Sequence, residues 1–417
     1  MTFSITLVRH ARSEANAAGI WQGQGDAVLA EEGRLQARAL APRLARREFD
    51  VVISSDLSRT QETAELAGRP PDRLEKSWRE MDLGAWEGRT FAEVAERHPD
   101  LLEAIRRGEA VSFGETGETI AEFEERVLDA FERLVDELGG EGHAVVFTHG
   151  GVIDAIVGRF FGRVHGRRTF PITTNTALTV LGGEPGRSQG RPRVSHFNDA
   201  SHLGHDVGAT GRFREDGIPI AGLVRHGVTE ANKTGRIQGQ HCWGLHDEGR
   251  HQARLLADWY GSVDRVISSP IRRARETAAV LASANGVTYD ERLMEQSFGT
   301  WEGVLTSEMS AEDLGILKRI YADGEDLPRG HTGETFAALV ARLADFVAQI
   351  SLDPEERTAI VSHGAAIKAA VAHILGNTTD IQSNLAVSPN TGVTHVAFPP
   401  SGPMLIDYAI APHLELS

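Results

Sequence analysis

The chain contains one long internal repeat, and this feature limits its possible folds more than any other. Short blocks of the first half return in the second half, in the same order and at nearly the same spacing, so chance is not a reasonable explanation. We infer a tandem duplication and place the domains at 1–205 and 218–417, with a flexible linker over 206–217. The paired blocks are Leu7–His10 and Leu223–His226, Gln22-Gly23 and Gln238-Gly239, Val52–Arg59 and Val266–Arg273, Gly84–Gly88 and Gly299–Gly303, Gly117–Thr119 and Gly333–Thr335, Thr148–Gly150 and Ser362–Gly364, and Asn175-Thr176 and Asn390-Thr391.

Each copy alternates short apolar, strand-like runs with stretches of helical spacing. This alternation is typical of a mostly parallel sheet that is covered by helices on both faces. The sequence therefore predicts an α/β fold made of two tandem three-layer α/β/α sandwiches. In the first copy the strand-like runs are Ser4–Val8, Val51–Ser54, Ala144–Thr148 and Ala177–Leu181, and the helical stretches are Arg34–Arg47, Arg59–Ala67 and Val152–Phe161.

The charge balance excludes several classes of partner. The 417 residues include 43 Lys and Arg against 59 Asp and Glu, which gives a formal net charge of −16. Most of such a surface repels phosphate groups, so we expect no nucleic-acid partner and no anionic membrane partner. An anionic substrate must therefore be bound by a local group of arginines. No stretch of the sequence resembles a targeting signal or a membrane span, and we expect a cytoplasmic location.

The sequence also gives no sign of a metal or cofactor site. Cys242 is the only cysteine, which excludes an intrachain disulfide and any cysteine-rich metal site. The histidines outside the repeated blocks lack the spacing to acidic or cysteine partners that zinc sites show. We therefore predict no metal and no cofactor. These histidines are His196, His202, His205 and His241.

Residues suited to phosphate chemistry follow the predicted strands. Arg9-His10 follows the first strand, Ser54-Ser55 the second and His149-Gly150 a later one, so their side chains should converge at one edge of the sheet. Arginine forks suit phosphoryl oxygens, and a histidine beside such cations is neutral and nucleophilic near pH 7. Arg59 would add a second cation. Glu80 is the candidate proton donor to the leaving group and the later base toward water.

Both copies resemble the histidine phosphatase superfamily, in its phosphoglycerate-mutase-like branch. That family has Arg-His-Gly-x-Thr-x-x-Asn after its first strand, where this chain has Arg9-His-Ala-Arg-Ser-Glu-Ala-Asn16 and Arg225-His-Gly-Val-Thr-Glu-Ala-Asn232. The family's Ser-Ser-x-Leu-x-Arg motif matches Ser54–Arg59 and, with Ile271 in place of Leu, Ser268–Arg273. The resemblance implies a short cap over each site. The implied catalytic residues are the nucleophiles His10 and His226 and the acids Glu80 and Glu295, and the implied phosphate- or substrate-binding residues are Arg9, Asn16, Gln22, Arg59, His149, Arg225, Asn232, Gln238, Arg273 and His363.

The resemblance leaves hydrolysis and phosphoryl transfer to be distinguished. In the mutases the acid is followed by Arg-x-Tyr-Gly-x-Leu-Gln-Gly and a long insertion, whereas Glu80 is followed by Met-Asp-Leu-Gly-Ala-Trp-Glu-Gly and a short segment before Gly117. A short cap admits water. We therefore predict a phosphomonoester hydrolase of the histidine acid type, which acts on a small phosphorylated metabolite through a phosphohistidine in each domain. Phosphoryl transfer of the mutase type is the alternative reaction. Glu87 and Glu302, which lie close by in sequence, are alternative candidates for the acid.

The two copies differ around their sites, which leaves a second alternative: one copy is a non-catalytic phospho-ligand-binding module or scaffold. Ala11 stands where the family has glycine after the nucleophile, and we expect its methyl group to crowd the approach to phosphate or to strain the loop. His241–Gly244 replaces Gly25–Val28, and Gly364-Ala365 replaces Gly150-Gly151. We expect both copies to keep their catalytic residues and to differ in substrate. A pseudo-dimer formed by the two copies within one chain also fits the sequence.

Overall fold

The chain folds into two compact units that correspond largely to the two copies of the repeat. The computed structural model describes residues 3–162, 169–183, 192–282, 286–378 and 380–415. The domain boundaries at 205 and 218 stay a sequence prediction. One unit holds Met1–Arg168, Ile172–Val194 and Asn198–Ala209, and the other holds Thr169–Pro171, Ser195–Phe197 and Thr210–Ser417.

The first copy contains a six-stranded sheet. Its strands are β1 (Phe3–Arg9), β2 (Val51–Ser54), β3 (Arg73–Leu74), β4 (Gly142–Thr148), β5 (Leu178–Gly183) and β6 (Arg193–Asp199). They lie in the order β3-β2-β4-β1-β5-β6. β1 pairs in parallel with β4, β4 with β2 and β2 with β3, whereas β5 runs antiparallel to β1. The prediction of a mostly parallel sheet is confirmed.

Seven α-helices connect these strands in the described part of the first copy. The predicted helical stretches correspond to α2, α3 and α7 below, with ends that differ by a few residues. The helices are α1 (Glu14–Ala17), α2 (Glu31–Ala45), α3 (Ser58–Leu66), α4 (Phe91–Arg97), α5 (Pro99–Arg106), α6 (Ile120–Leu138) and α7 (Gly150–Phe161).

The segment predicted as a flexible linker contains a helix, α8 (Gly208–Glu215). Its glycines and mixed charges give no apolar periodicity, and that is why the sequence indicated a flexible segment. The structure buries Ala209 and Thr210 at the start of this helix. Tertiary packing of a few side chains thus overrides the low helix propensity of glycine.

The second copy repeats the same architecture. Its strands are β7 (Ile220–Arg225), β8 (Arg265–Ser268), β9 (Val287–Tyr289), β10 (Thr358–Ser362), β11 (Val393–Ala397) and β12 (Met404–Leu405), in the order β12-β11-β7-β10-β8-β9. Its helices are α9 (Glu230–Thr234), α10 (Asp247–Tyr260), α11 (Arg272–Leu281), α12 (Ala311–Tyr321), α13 (Phe336–Gln349), α14 (Gly364–Leu375) and α15 (Ile381–Asn384).

Helices cover both faces of the sheet, because successive side chains on a strand point to opposite sides. On β7, Val224 packs in one apolar cluster with Leu256 of α10 and Ala274 of α11. The preceding residue, Leu223, lies on the other face, with Leu343 of α13 and Ile367 of α14 around a small apolar cavity. The near-continuous apolar runs of these strands follow from burial on both faces. The predicted three-layer α/β/α sandwich is confirmed.

A short cap follows the candidate acid in each copy and begins and ends at two interlocked turns. Gly84 and Gly114 have positive φ values of 51° and 53°. A Cβ atom on Gly84 would lie 2.5 Å from the Gly117 nitrogen, and one on Gly114 would lie 2.3 Å from the Leu83 oxygen, so only glycine fits both turns. Between them the first copy holds α4 and α5, whereas the second copy, between Gly299 and Gly330, holds α12.

Candidate active site

The carboxyl ends of three neighbouring strands bring the candidate residues together. Arg9 ends β1 and lies opposite Thr148, the last residue of β4. His10 follows Arg9, and His149 follows Thr148 as the N-terminal cap of α7. Ser55 follows β2, and its nitrogen donates to the oxygen of Phe147 on β4, 2.9 Å away. Parallel pairing therefore places these side chains at one edge of the sheet.

The hydrogen bonds of His10 fix which ring nitrogen carries the proton. Its Nδ1 lies 2.7 Å from the carbonyl oxygen of Ala11, and a carbonyl can only accept, so Nδ1 is protonated and Nε2 keeps its lone pair. In the second copy, His226 Nδ1 donates to the Gly227 oxygen at the same distance of 2.7 Å. There Arg273 Nε also donates to His226 Nε2 over 3.1 Å. Both rings thus present an unprotonated Nε2, as a nucleophile requires.

Burial and positive charge keep the His10 ring neutral. Its side chain is only 4% exposed, and burial is the main cause that lowers its pKa well below 6.5, with Arg59 and Arg9 lowering it further. The hydrogen bond to Ala11 acts in the opposite direction but is weaker. His226 has a pKa lowered by burial and then by Arg273 and Arg225. Neutral imidazole is therefore the form present at pH 7 in both sites.

A second buried histidine stands beside the first. The ring centroids of His10 and His149 are 5.2 Å apart. Arg59 Nη2 donates to His149 Nδ1 over 3.1 Å, and His149 Nε2 then donates to Ser55 Oγ over 3.0 Å. Burial, followed by the charge of Arg59, lowers the pKa of His149 well below its usual value. In the second copy the ring centroids of His226 and His363 are also 5.2 Å apart, and His363 Nε2 lies 2.8 Å from Ser269 Oγ.

Arg59 is fully buried and holds the loop that faces it. Its Nη1 donates to the oxygen of Gly25 and its Nη2 to that of Gly23, both over 2.8 Å. Burial lowers its pKa to about 10, so the guanidinium remains charged at neutral pH. Its Nε and the Nε2 of Gln22 have no hydrogen-bond partner in the described part of the chain. Buried donors of this kind point to an anionic acceptor at this position.

Glu87 supports that same loop. Its carboxylate accepts from the nitrogen of Gly23 at 3.0 and 3.1 Å and from that of Gly25 at 3.1 Å. In the second copy Glu302 accepts from the nitrogens of Gln240 and Phe298, both at 3.0 Å. Each of these carboxylates therefore accepts from the backbone of the loop that the buried arginine also holds.

Glu80 lies at the N-terminus of α7, beside His149. Its Oε2 accepts from the nitrogen of Gly151, and its Oε1 from that of Met81, both at 2.9 Å. In the second copy Glu295 accepts from Ala365 at 3.3 Å and Ala366 at 3.1 Å. The candidate acid therefore stands next to the nucleophile's edge of the sheet in both copies.

A sequence profile of the histidine phosphatase superfamily (branch 1) matches residues 5–199 and again residues 222–410. The chain belongs to this superfamily. Each of the two matched regions contains one complete set of the residues described above, so the chain holds two domains of this superfamily in tandem. The two predicted sandwiches and their family are confirmed together.

Several known proteins are similar to one copy of this histidine phosphatase. The probable phosphoglycerate mutase GpmB of Serratia proteamaculans is 36% identical over 159 residues, which cover 37% of this chain and 74% of that protein. The metal-independent phosphoserine phosphatase of Arabidopsis thaliana is 35% identical over 158 residues, covering 36% and 66%. Glucosyl-3-phosphoglycerate phosphatase of Mycolicibacterium vanbaalenii is 33% identical over 167 residues, covering 38% and 74%. Among solved structures, YhfR of Bacillus stearothermophilus is 28% identical with a TM-score of 0.44, covering 48% of this chain and 99% of that one.

The remaining candidates, Asn16 and Gln22, belong to one polar network under the nucleophile's loop. Asn16 forms a capping box with Ser13, and Ser13 Oγ donates to Gln22 Oε1 over 2.8 Å. Asn175, which sequence reasoning did not assign to the site, donates to the oxygen of His10 over 2.8 Å and to Asn16 Oδ1 over 3.4 Å. In the second copy the network joins Asn232, Gln238, Thr229 and Asn390.

A second feature that sequence reasoning missed is an ion pair beneath the acid. Arg126 on α6 pairs with Glu118, with Nη2 and Oε2 2.8 Å apart. The same guanidinium donates to the backbone oxygens of Ser77, Arg79 and Glu80 over 3.1, 3.0 and 3.3 Å. Arg342 and Glu334 repeat this arrangement in the second copy. The recurrence of both pairs at the repeat spacing was the available sequence signal.

Ala11 does not strain the loop that follows the nucleophile. Ala11 is absent from the residues with positive φ, so its backbone needs no glycine. Its methyl group packs in a buried apolar cluster with Leu29 and Ala37, and its nitrogen donates to Thr63 Oγ1 over 2.9 Å. Gly227 makes the matching bond to Thr277 over 3.0 Å. The loop therefore keeps the same hydrogen bond with either residue.

Among the residues that the structure describes, no group of three or more His, Cys, Asp or Glu side chains is placed to hold a metal ion. In the same residues, no helix combines the length and the apolarity that crossing a bilayer demands.

Proposed function

We propose that each copy hydrolyses a phosphomonoester of a small metabolite through a phosphohistidine on His10 or His226. The observation that carries this proposal is the neutral, buried imidazole of His10, whose Nε2 keeps its lone pair and whose ring is acted on by the charges of Arg9 and Arg59. Arg9 and the unpaired donors of Arg59 and Gln22 suit the oxygens of one phosphoryl group. Matches to phosphatases support hydrolysis as the outcome.

The proposed reaction has two displacements at phosphorus. His10 Nε2 first forms a bond to phosphorus while the ester oxygen leaves, and protonated Glu80 donates its proton to that oxygen. The Glu80 carboxylate then takes a proton from water, whose oxygen attacks phosphorus and releases His10 and inorganic phosphate. Arg9 and Arg59 bind the equatorial oxygens throughout, and His149 does so by redirecting to phosphate the Nε2 hydrogen that it otherwise donates to Ser55. Glu295, Arg225, Arg273 and His363 would have the same roles around His226.

The test is phosphate release from p-nitrophenyl phosphate in the presence of a chelator, with wild type, His10→Asn, His226→Asn and the double variant. We expect each single variant to lose the activity of one site and the double variant to lose at least about 1,000-fold. Radiolabelled substrate should leave acid-labile, base-stable label on the wild type and on each single variant, and none on the double variant. Unchanged turnover by the double variant would refute the proposal.

The same variants separate the alternatives. If His10→Asn changes neither turnover nor label on any substrate, the first copy is a binding or scaffold copy. If label passes to an added alcohol or phosphoglycerate faster than to water, transfer of the mutase type is favoured. The short caps favour water as the acceptor. The cytoplasmic location, the domain boundaries and the pseudo-dimer stay predictions.

A further inference from the structure

The two sites carry different charges at their rims. We define each rim by three equivalent positions next to the phosphate-binding guanidinium: Asp26, Asp56 and Arg79 in the first copy, and Cys242, Pro270 and Met294 in the second. Arg59 Nη1 donates to the oxygen of Gly25, directly before Asp26. Arg273 Nη1 donates to the oxygen of His241, directly before Cys242, over 2.9 Å. The loop position of each rim therefore adjoins the phosphate site.

Asp26 presents a free negative charge at the first rim. The side chain is exposed, and its Oδ1 accepts from the nitrogen of Ser58 over 3.0 Å and from Ser58 Oγ. These donors fix the carboxylate without neutralising it. Its charge acts on Arg59 and Arg79 through space, yet among the described residues it has no ion pair within 4.0 Å.

The other two charges of the first rim neutralise one another. Arg79 Nε lies 2.6 Å from Asp56 Oδ1, and its Nη2 lies 2.7 Å from Oδ2. The remaining Nη1 donates to Gln24 Oε1 over 3.2 Å. The guanidinium is thus occupied on every side, so the net charge of this rim is that of Asp26.

The second rim has no charge at the three equivalent positions. Arg272, which replaces Ser58, directs its Nε to Glu276 Oε1 at 2.6 Å and so forms a neutral pair of its own. Gln240 Nε2 donates to the backbone oxygen of Glu295 over 3.1 Å, as Gln24 Nε2 does to that of Glu80 over 3.4 Å. Met294 and Pro270 offer only apolar surface at this rim.

We propose that the first site selects phosphomonoesters whose leaving group carries an ammonium, and that the second selects uncharged, apolar leaving groups. An ammonium a few bonds from the phosphate would meet the Asp26 carboxylate, which forms no ion pair of its own among the described residues and so is available to pair with it. At the second rim the same ammonium would lose water without gaining a partner. This inference rests on the proposed function and adds a substrate class to each site.

The test compares phosphoethanolamine with propyl phosphate, which have the same heavy-atom skeleton and differ in an ammonium against a methyl group. In the His226→Asn variant, which leaves only the first site, we expect kcat/KM to favour phosphoethanolamine by about fivefold. In the His10→Asn variant we expect the preference to be reversed. Raising the ionic strength should reduce the preference of the first site only.

Exchange of the rim residue makes the test specific. Asp26→Asn should abolish the preference of the first site, and Cys242→Asp should create one at the second. Asp136→Asn, which removes an exposed carboxylate on α6, is the matched control and should change neither ratio. An unchanged ratio in Asp26→Asn, or no turnover at the first site, overturns the inference. If wild type releases phosphate from no ester, p-nitrophenyl phosphate included, the proposed function fails as well.

Discussion

Glu80 and Glu87 are close in sequence and have separate structural roles. Glu80 stands at the start of α7 beside the two histidines, whereas Glu87 binds the nitrogens of the loop that Arg59 holds. A proton donor matters most when the leaving group is basic. Substrates with leaving groups of different basicity can therefore distinguish the two carboxylates.

We predict that Glu80→Gln, in the His226→Asn background, lowers kcat/KM for an alkyl phosphate by at least about 100-fold. The kcat/KM of p-nitrophenyl phosphate, which reports phosphohistidine formation and not its hydrolysis, should fall by less than about tenfold, because nitrophenolate leaves without a proton. The measurement is steady-state kinetics on both esters. Glu87→Gln should lower kcat/KM for both substrates by the same factor, because it loosens the loop at Gly23 and Gly25 that Arg59 holds. Equal losses in Glu80→Gln would contradict the acid role.

Sequence could identify these residue types but not their hydrogen bonds. His10, Arg59 and Glu80 recur in both halves, so their candidacy was visible without coordinates. The proton on Nδ1 of His10 depends on the backbone oxygen of Ala11, and the orientation of His149 depends on Ser55. Such partners are backbone atoms or residues on other strands, and the spacing of residues in a sequence does not give the distances between them.

The ion pair between Arg126 and Glu118 ties helix α6 to the segment that presents the acid. Arg126 donates to three backbone oxygens of that segment, and Glu118 accepts from the Asp82 nitrogen over 2.9 Å. The pair is partly buried, so it is screened less than a surface pair. It thereby acts as a positioning device for Glu80.

We predict that Arg126→Ala lowers kcat/KM for alkyl phosphates by about tenfold and changes that for p-nitrophenyl phosphate by less than about twofold. The reason is that, during phosphohistidine formation, a displaced acid slows only the substrates whose leaving group needs its proton. Both esters are measured in the His226→Asn background, together with the thermal midpoint. Arg133→Ala, an exposed position on the same helix, is the control. A uniform loss on both esters would indicate a merely structural role.

The sequence predicted the elements that carry strong periodicity and missed those that tertiary contacts create. Strands β1, β2, β4 and β5 are apolar and lie close to their predicted bounds. Strand β3 has only two residues, Arg73 and Leu74, and is a strand only because β2 pairs with it. Helix α8 was missed because its burial depends on two side chains, Ala209 and Thr210.

The buried histidines couple the stability of the whole chain to pH. Each site holds two of them with pKa values well below 6.5. Below about pH 6.5 an unfolded chain protonates these rings while the folded chain does not, so protons favour unfolding. The stabilisation is complete above that pH and is lost as the pH falls, by up to about 1.4 kcal/mol per pH unit for each histidine.

We predict that the thermal midpoint falls steadily between about pH 6.5 and pH 5, before most carboxylates take up protons. Calorimetry of wild type over this range measures the slope. His149→Gln removes one titrating ring while keeping an amide that can bond to Ser55, so it should make the slope shallower. A midpoint that stays constant down to pH 5 would contradict the low pKa values of these rings.

The interlocked turns at Gly84 and Gly114 have a consequence for how such a chain diversifies. They close the base of the cap on itself, through backbone contacts that admit no side chain. Between the two turns the first copy has two short helices, α4 and α5, whereas the second copy has one longer helix, α12. The turns themselves are the same in both copies. The segment between the two turns can therefore diverge in sequence and in helix content while the candidate proton donor, which precedes it, keeps its position in the fold.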